Sequence, residues 1–179
     1  MSEIRYALYD DLKEIRNLWE YSFSDEESFV NYYFDKRYNP GCNLIAKDTE
    51  LLASLQRNPY KINISKDSQN TAYVVGISVY PEHRGKKLTT KLLNKALEEA
   101  YNLGEKISLL MPIDTAIYRR YGYENCFSLY SFEVNLSDIE YKNNKSVNLE
   151  RITKMTDSLA DLLIEIYLEK AKNWDIHLV

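Results

Sequence analysis

Glycine is scarce in this chain, and its scarcity argues against the glycine-rich phosphate loops of the common nucleotide-binding folds. Only five glycines occur among 179 residues, at positions 41, 76, 85, 104 and 122. The sequence contains neither a P-loop motif nor a GxGxxG fingerprint, because both need several glycines within a few residues. The P-loop and Rossmann folds are therefore disfavoured.

Cysteine and histidine, which often bind transition metals, are also rare. The chain contains two of each, and Cys42 lies far from Cys126 in the sequence. Two cysteines are too few for a disulfide framework, and with His83 and His177 they form no metal-ligand spacing. We therefore expect two reduced thiols and no metal site.

An excess of basic residues and a long apolar run are both missing. The net charge is −4 and the pI is near 5.3, which argues against nucleic acid binding. No apolar run approaches the roughly 20 residues of a membrane span, and Met-Ser-Glu-Ile-Arg at the start is no signal peptide. With 45% hydrophobic residues, the chain predicts a cytoplasmic globular protein with no membrane partner, built from one domain and a shorter segment.

The stretch around residue 76 has the clearest strand pattern. Residues 73–81 alternate, which places Val75, Ile77 and Val79 on one predicted face, and Pro81 ends the pairing. Gly76 interrupts the strand where a side chain would normally pack. Such a glycine indicates either a β-bulge or a ligand close to the backbone.

A basic turn, residues 82–86, leads from this strand into a predicted helix. The helix has one apolar stripe and ends at Gly104; the stripe comprises Leu88, Leu92, Leu93, Ala96, Leu97 and Ala100. Lys86, Lys87 and Lys91 lie at its positive end, and no Ser, Thr, Asp or Asn stands at the cap position. This pattern fits an anion-binding site, and it equally fits a solvated basic turn.

The other segments give a coarse order of strands and helices. Predicted strands cover residues 4–8, 42–48, 51–55, 106–111 and 127–136, with another over 56–64 that should break at Asn58-Pro59; residues 48–50 and 65–70 are predicted turns. The strand at 106–111 is apolar enough to be covered on both faces. A helix should follow Asp10-Asp11, with Leu12, Ile15, Leu18 and Trp19 on its buried face. Two others should follow a capping box from Ser24 to Glu27 and cover residues 114–120. The aromatic stripe after Glu27 is interpreted as core.

The sequence from Val79 to Leu93 resembles the acyl-CoA-binding motif of the GCN5-related N-acetyltransferases (GNAT). It reads Val-Tyr-Pro-Glu-His-Arg-Gly-Lys-Lys-Leu-Thr-Thr-Lys-Leu-Leu and departs from the family pattern at Lys87 and Thr89, where glycine or alanine is common. Residues 117–124, Ile-Tyr-Arg-Arg-Tyr-Gly-Tyr-Glu, are similar to the run that closes the family's cofactor site. The resemblance implies an α/β fold: a central mixed β-sheet flanked by helices, with its fourth and fifth strands splayed apart.

The resemblance also implies acetyl-CoA as the cofactor. In this family pantetheine pairs with the splayed strand and the amides of the following turn hold the pyrophosphate. Carried onto this sequence, the cofactor-binding residues are Ile77, Ser78, Val79, Arg84, Gly85, Lys86, Lys87, Leu88, Thr89, Thr90, Ile113 and Asp114. The implied activity is transfer of acetyl to a small-molecule or peptide amine, with aminoglycosides and lysine as candidate acceptors. The alternative is an acyl-CoA-binding module without turnover.

Within the superfamily, residues 111–123 look most like the enhanced-intracellular-survival branch. That resemblance makes Tyr118 the proton donor to the departing thiolate, a task that suits a phenol of pKa near 10, and it places Tyr121 in packing. The branch takes its base from its own C-terminal carboxylate, for which this chain offers no equivalent. Glu27 and Glu82 are conceivable substitutes, whereas His83 is expected to orient the turn.

Two domains are expected from the same resemblance. Residues 1–145 should form the acetyltransferase domain, and 146–179 a linker and the incomplete start of a second, similar domain. That segment contains a predicted strand at 148–152 and a helix after Thr156, with Leu159, Leu162, Leu163 and Ile166 on one side. The apolar face of this helix must cover the first domain, pair with another copy in a homo-oligomer, or stay mobile.

Overall fold

Six strands form one mixed sheet. The computed structural model describes residues 2–65, 67–128, 131, 133–135, 137, 156–174 and 176–178. The strands are β1 (Glu3–Tyr6), β2 (Asn43–Lys47), β3 (Leu51–Ile64), β4 (Asp67–Val79), β5 (Ser108–Leu110) and β6 (Ile176–Leu178). Their order is β1-β2-β3-β4-β5, with β6 also paired to β3, and β4–β5 is parallel while the other pairs are antiparallel. The predicted fold class is confirmed.

The helices follow one another along the chain in the expected order. They are α1 (Leu12–Ser22), α2 (Glu27–Tyr32), α3 (Leu88–Asn102), α4 (Thr115–Arg119) and α5 (Asp157–Ala171), and a π-helical segment, Tyr33–Arg37, extends α2. None of the described helices is both long and apolar enough to cross a membrane. The chain divides into two compact units, Met1–Tyr123 with Asp175–Val179, and Glu124–Trp174.

The sheet of the first unit separates two apolar cores. Leu44 and Ala46 join the core that α3 covers, whereas Ile45 between them joins the core of α1 and α2, because successive side chains of a strand point to opposite faces. The stripe predicted for α3 is buried, with Leu97 half-buried. On α1, Ile15, Leu18 and Trp19 are buried as predicted.

The start of α1 is fixed by a buried carboxylate. Asp11 accepts hydrogen bonds from Arg5 (2.8 Å), Lys47 (2.9 Å) and the Leu8 amide (2.8 Å). Burial alone would raise the pKa of this carboxyl, but these hydrogen bonds lower it well below its usual range. The network joins β1, β2 and α1.

The predictions for the long hairpin were partly wrong. β3 runs unbroken through Pro59, which pairs with Ala72, and β4 begins at Asp67, so that residues 67–70 of the predicted turn belong to β4. Pro59 is tolerated because β2 pairs with β3 only as far as Gln56, which leaves a strand neighbour on one side. Ser65 adopts a φ of +53°, as a tight hairpin turn requires.

Three other predictions need correction. The capping box at Ser24 is absent: α2 begins at Glu27 without a side-chain cap, and Asp25 instead accepts a hydrogen bond from the Trp19 indole (2.9 Å). β5 is only half-buried, because it ends the described strand order and has a strand neighbour on one side. No strand forms among the described residues of 127–136, since an alternating pattern still needs a partner edge.

In the second unit, α5 begins as predicted. The Thr156 hydroxyl accepts a hydrogen bond from the Leu159 amide (3.3 Å), which is a side-chain cap. Leu162, Leu163 and Ile166 are exposed in this unit, at 50%, 42% and 50%. The predicted strand at 148–152 lies outside the described residues.

Candidate functional site

A bulge in β4 creates the geometry of the site. Ser54 pairs with Ser78 and Gln56 with Val75, so two steps along β3 face three along β4. The extra residue reverses the alternation of side chains. Ile77 and Val79 pack against the α3 core while Val75 packs against the core of α1 and α2, so the prediction of one shared face is wrong.

Gly76 makes this bulge sterically feasible. Its φ is +61°, a backbone conformation that residues with a Cβ rarely adopt. A Cβ built at this position would lie 2.4 Å from Cζ3 of Trp19. The bulge predicted at Gly76 is thus confirmed, and what lies close to its backbone is the Trp19 ring.

Beyond the bulge, β4 loses its parallel neighbour. The pairing of β4 with β5 ends at Val74 and Leu110, while β4 continues to Val79. The backbone of Ile77 to Val79 therefore has no strand partner on that side within the described part of the chain. The expected splaying of the two strands is present.

The basic turn leads into α3 through left-handed backbone. Gly85 has a φ of +77° and Lys87, the residue that precedes α3, has a φ of +57°. No side chain caps this helix, so its first amides are left without a side-chain acceptor. The resemblance had placed Lys87 where glycine is usual, and the lysine does adopt the glycine-like conformation.

These elements enclose a cavity of about 740 Å³. Ten of the predicted cofactor-binding residues line it: Ile77, Ser78, Val79, Arg84, Gly85, Lys87, Leu88, Thr89, Thr90 and Ile113. Two predicted residues do not. Lys86 is directed to His83, and Asp114 caps α4 by accepting a hydrogen bond from the Ala116 amide (2.9 Å).

Five further residues line the cavity and were not predicted as cofactor ligands. Tyr21, Ser22 and Phe23 come from the end of α1, His83 from the turn, and Arg120 from the end of α4. The helical period predicted the core-facing side of α1, but it carried no information on whether the last turn of α1 would line a cavity. Arg120 lies within the run from 117 to 124, so the motif itself was the available signal.

The cavity wall is cationic. Arg84, Lys87 and Arg120 contribute three positive charges, and no carboxylate is found among the described residues that line the cavity. None of these three side chains forms an ion pair within the described ranges of the chain. Unpaired cations beside free helix amides attract an anion.

His83 connects the turn to the β2–β3 loop. Its Nδ1 lies 3.0 Å from Nζ of Lys86, and its Nε2 lies 3.4 Å from a carboxylate oxygen of Glu50. With Nδ1 as the acceptor for the ammonium, Nε2 carries the proton that faces Glu50. His83 therefore orients the turn in the described geometry. Glu27 and Glu82 are both exposed and do not line the cavity.

Tyr118 is buried in the core to which several cavity-lining residues also belong. It is 8% exposed and belongs to the same core as Leu88, against which Ile77 and Val79 also pack. Its ring meets the Tyr123 ring edge-on, with 6.3 Å between centroids. Burial raises the pKa of the Tyr118 phenol, and Tyr118 itself is not one of the residues that line the cavity.

Tyr121 links α4 to the start of α3. Its hydroxyl lies 2.8 Å from the Thr90 hydroxyl, and the Arg120 guanidinium lies 5.2 Å from the centroid of its ring. Tyr121 packs against the α3 core. It therefore occupies the packing position that the resemblance implied, with a polar contact to a residue of the cavity wall.

Several solved structures share this fold. A probable N-acyltransferase from Enterococcus faecalis aligns with a TM-score of 0.63 and 22% identity over 69% of this chain and 32% of its own. Eis1 from Mycobacterium abscessus aligns with a TM-score of 0.60 and 20% identity over 69% of this chain and 31% of its own. A GNAT family acetyltransferase from Brucella melitensis, solved with acetyl-CoA, aligns with a TM-score of 0.58 and 20% identity over 76% of this chain and 91% of its own.

The match to the first and second of these structures covers about a third of their length. Comparison with curated proteins gives no significant match. The sequence profile of the acetyltransferase (GNAT) domain matches residues 3–126, which is more than half of the chain and contains every residue of the cavity wall. The chain therefore belongs to the GNAT acetyltransferase domain family.

Proposed function

We propose that this protein transfers an acetyl group from acetyl-CoA to an amine. The observation that carries the proposal is the cavity between the separated ends of β4 and β5, whose wall has three cations and no carboxylate. Such a wall suits a ligand with several negative charges and an apolar arm. Coenzyme A combines both, with a pyrophosphate at one end of its pantetheine arm and a thioester at the other.

The cofactor would follow the order of the elements. Pantetheine would pair with the free backbone of Ile77 to Val79, which lacks a strand partner on that side. The pyrophosphate would accept hydrogen bonds from amides between Gly85 and Thr90, where α3 has no side-chain cap. Arg84 and Lys87 would offset its charge.

The reaction needs a nucleophilic amine and a proton for the leaving group. A neutral amine would attack the thioester carbonyl as the C–S bond breaks, Tyr118 would give its proton to the departing thiolate, and the proton lost from the amine nitrogen would pass to a base or to water. Burial raises the pKa of Tyr118, so the phenol keeps its proton at neutral and mildly alkaline pH. Its membership of the core that also includes Leu88, and against which Ile77 and Val79 pack, supports this role.

The acceptor would enter from the end of α1. Tyr21 and Phe23 form an aromatic part of the cavity wall, and the Tyr21 ring lies 5.8 Å from the Tyr80 ring. We propose a small-molecule or peptide amine, with aminoglycosides and lysine as the first candidates. The similarity of residues 111–123 to the enhanced-intracellular-survival branch supports this choice.

The domain arrangement of that branch is part of the proposal. Residues 1–145 would be the catalytic domain, and 146–179 would begin a second domain of similar kind. The shared fold over about a third of the Enterococcus and Mycobacterium structures is compatible with that arrangement. The base that accepts the amine proton is left unassigned.

A two-part experiment tests the function. Titration calorimetry should show acetyl-CoA binding, and a thiol-release assay over a panel of amines should show transfer. Binding without release across a broad panel would favour an acyl-CoA-binding module without turnover. Absence of acetyl-CoA binding would contradict both.

A further inference from the structure

We infer that Arg120 binds the 3′-phosphate of coenzyme A and makes the site selective for coenzyme A over its 3′-dephospho form. This inference rests on the proposed function, because it concerns the far end of the same cofactor. Arg120 lines the cavity together with Arg84 and Lys87 but comes from a different element, the end of α4.

The Arg120 guanidinium is held in place before any ligand binds. It lies 5.2 Å from the centroid of the Tyr121 ring, and its Nε–H donates to the carbonyl oxygen of Ile117 (3.3 Å). Neither contact uses the terminal nitrogens, and no carboxylate pairs with them in the described part of the chain. The two terminal NH₂ groups are therefore available as a fork of donors.

The connection to Thr90 places this fork beside the first turn of α3, at the far end of the stretch assigned to the pyrophosphate. Tyr121, on which Arg120 stacks, is bound through its hydroxyl to Thr90 (2.8 Å). In the proposed cofactor orientation the acyl end lies at Ile77 to Val79 and the pyrophosphate at Gly85 to Thr90. The part of coenzyme A that remains beyond the pyrophosphate is the 3′-phosphorylated adenosine.

The chemistry of arginine matches that group. A phosphate monoester carries about −1.5 to −2 charges at neutral pH and three acceptor oxygens. A planar guanidinium donates two parallel hydrogen bonds to such a group, which an ammonium cannot do. The turn can serve the pyrophosphate with backbone amides, whereas the 3′-phosphate has Arg120 as its cation.

The test compares two nucleotides on three proteins. Titration calorimetry is run with acetyl-CoA and with acetyl-3′-dephospho-CoA on the wild type, on Arg120→Gln and on Arg37→Gln. Arg37 is a matched control: it is exposed, lies 5.7 Å from the centroid of the Tyr60 ring, and does not line the cavity. Both substitutions remove one positive charge, so a difference between them is local.

We expect the wild type and Arg37→Gln to bind acetyl-CoA about tenfold more tightly than the dephospho form, which is about 1.4 kcal/mol. Arg120→Gln should lower the acetyl-CoA affinity until the two nucleotides bind within about twofold of each other, because the remaining contacts are shared. Arg120→Lys should restore only part of the preference.

Three outcomes would overturn the inference. If Arg120→Gln weakens both nucleotides equally, the arginine serves the pyrophosphate instead. If the preference in Arg120→Gln equals that of the wild type, the 3′-phosphate is bound elsewhere. If the wild type binds neither nucleotide, the proposed function itself fails, and this result is distinct from the other two.

Discussion

At the residue scale, the proposed proton donor is enclosed by the protein core. Tyr118 is 8% exposed and packs with Leu88 and Tyr123. Enclosure raises the pKa of the phenol, because the phenolate loses its hydration. A donor with a raised pKa stays protonated over the pH range in which amines become nucleophilic.

Tyr118→Phe should keep the fold and the acetyl-CoA affinity but lower turnover by about 100-fold, the usual contribution of a general acid. The matched control is Tyr123→Phe, which removes the neighbouring hydroxyl, bound to the Ser108 hydroxyl at 2.7 Å, and should retain turnover. Thermal unfolding, calorimetry and the thiol-release assay measure the three quantities. Full activity of Tyr118→Phe would move the proton donor elsewhere.

The pH profile of the wild type gives a second test of Tyr118. The alkaline loss of activity caused by Tyr118 ionisation should lie above the ordinary tyrosine pKa of about 10.

At the element scale, one inserted residue in β4 sets the geometry of the site. The bulge changes which side chains face each core and brings Gly76 against the Trp19 ring. The strand that carries the cofactor-facing backbone is thus locked to α1, whose end lines the same cavity. A change at Gly76 must disturb both elements together.

Gly76→Ala should destabilise the protein by about 2 to 4 kcal/mol, through overpacking against Trp19 and a strained positive φ. Gly104→Ala is the matched control, because Gly104 also has a positive φ (+72°) but nothing lies within 4 Å of the position that a Cβ would take there. The control should lose only about 1 kcal/mol, the cost of the backbone conformation alone. Urea denaturation monitored by circular dichroism gives both values. Equal losses in the two variants would show that the Trp19 contact is unimportant.

The basic turn is the second element with a direct functional test. Lys86→Glu combined with Lys87→Glu should weaken coenzyme A binding by at least tenfold, about 1.4 kcal/mol. Most of the loss should come from Lys87, because Lys87 lines the cavity whereas Lys86 is directed to His83.

The control for charge is Lys13→Glu combined with Lys36→Glu, two lysines outside the cavity wall. It changes the net charge by the same amount and should leave the affinity within about twofold once salt screens distant charges. Unchanged affinity in the Lys86 and Lys87 variant would remove the anion-site interpretation.

At the scale of the whole molecule, the described residues that line the cavity all lie between positions 21 and 120. These residues lie within the first compact unit and within the segment matched by the GNAT family. The same unit also includes β6, which pairs with Ile62 to Ile64 of β3. The last residues therefore contribute to the sheet without contributing to the cavity.

A truncated chain of residues 1–145 should bind acetyl-CoA within about threefold of the full chain, because rigid binding residues respond little to distant deletions. It should unfold at a lower temperature, since the β3–β6 pairing is lost. Calorimetry and thermal unfolding on both proteins check the two statements. A folded 1–145 chain that fails to bind acetyl-CoA would contradict the proposed domain boundary.

Local patterns were sufficient for most of the elements. The apolar period of α3, the paired carboxylates before α1 and the motif from 79 to 93 each depend on neighbours in sequence, and the structure contains the corresponding elements. The resemblance likewise named ten residues of the cavity wall, because a motif carries the geometry of a turn and a helix start together. What the sequence by itself determined was therefore the fold class, the core faces of α1 and α3, and the basic turn.

The tertiary structure decided what depends on partners distant in sequence. The bulge at Gly76 reversed the faces of β4 because β3 fixed the register, and β3 ran unbroken through Pro59 because β4 paired along its length. The half-burial of β5 and the part that α1 and Arg120 play in the cavity wall follow from which elements meet in space. Hydrogen-bond register and burial are properties of pairs of elements, and no single segment contains them.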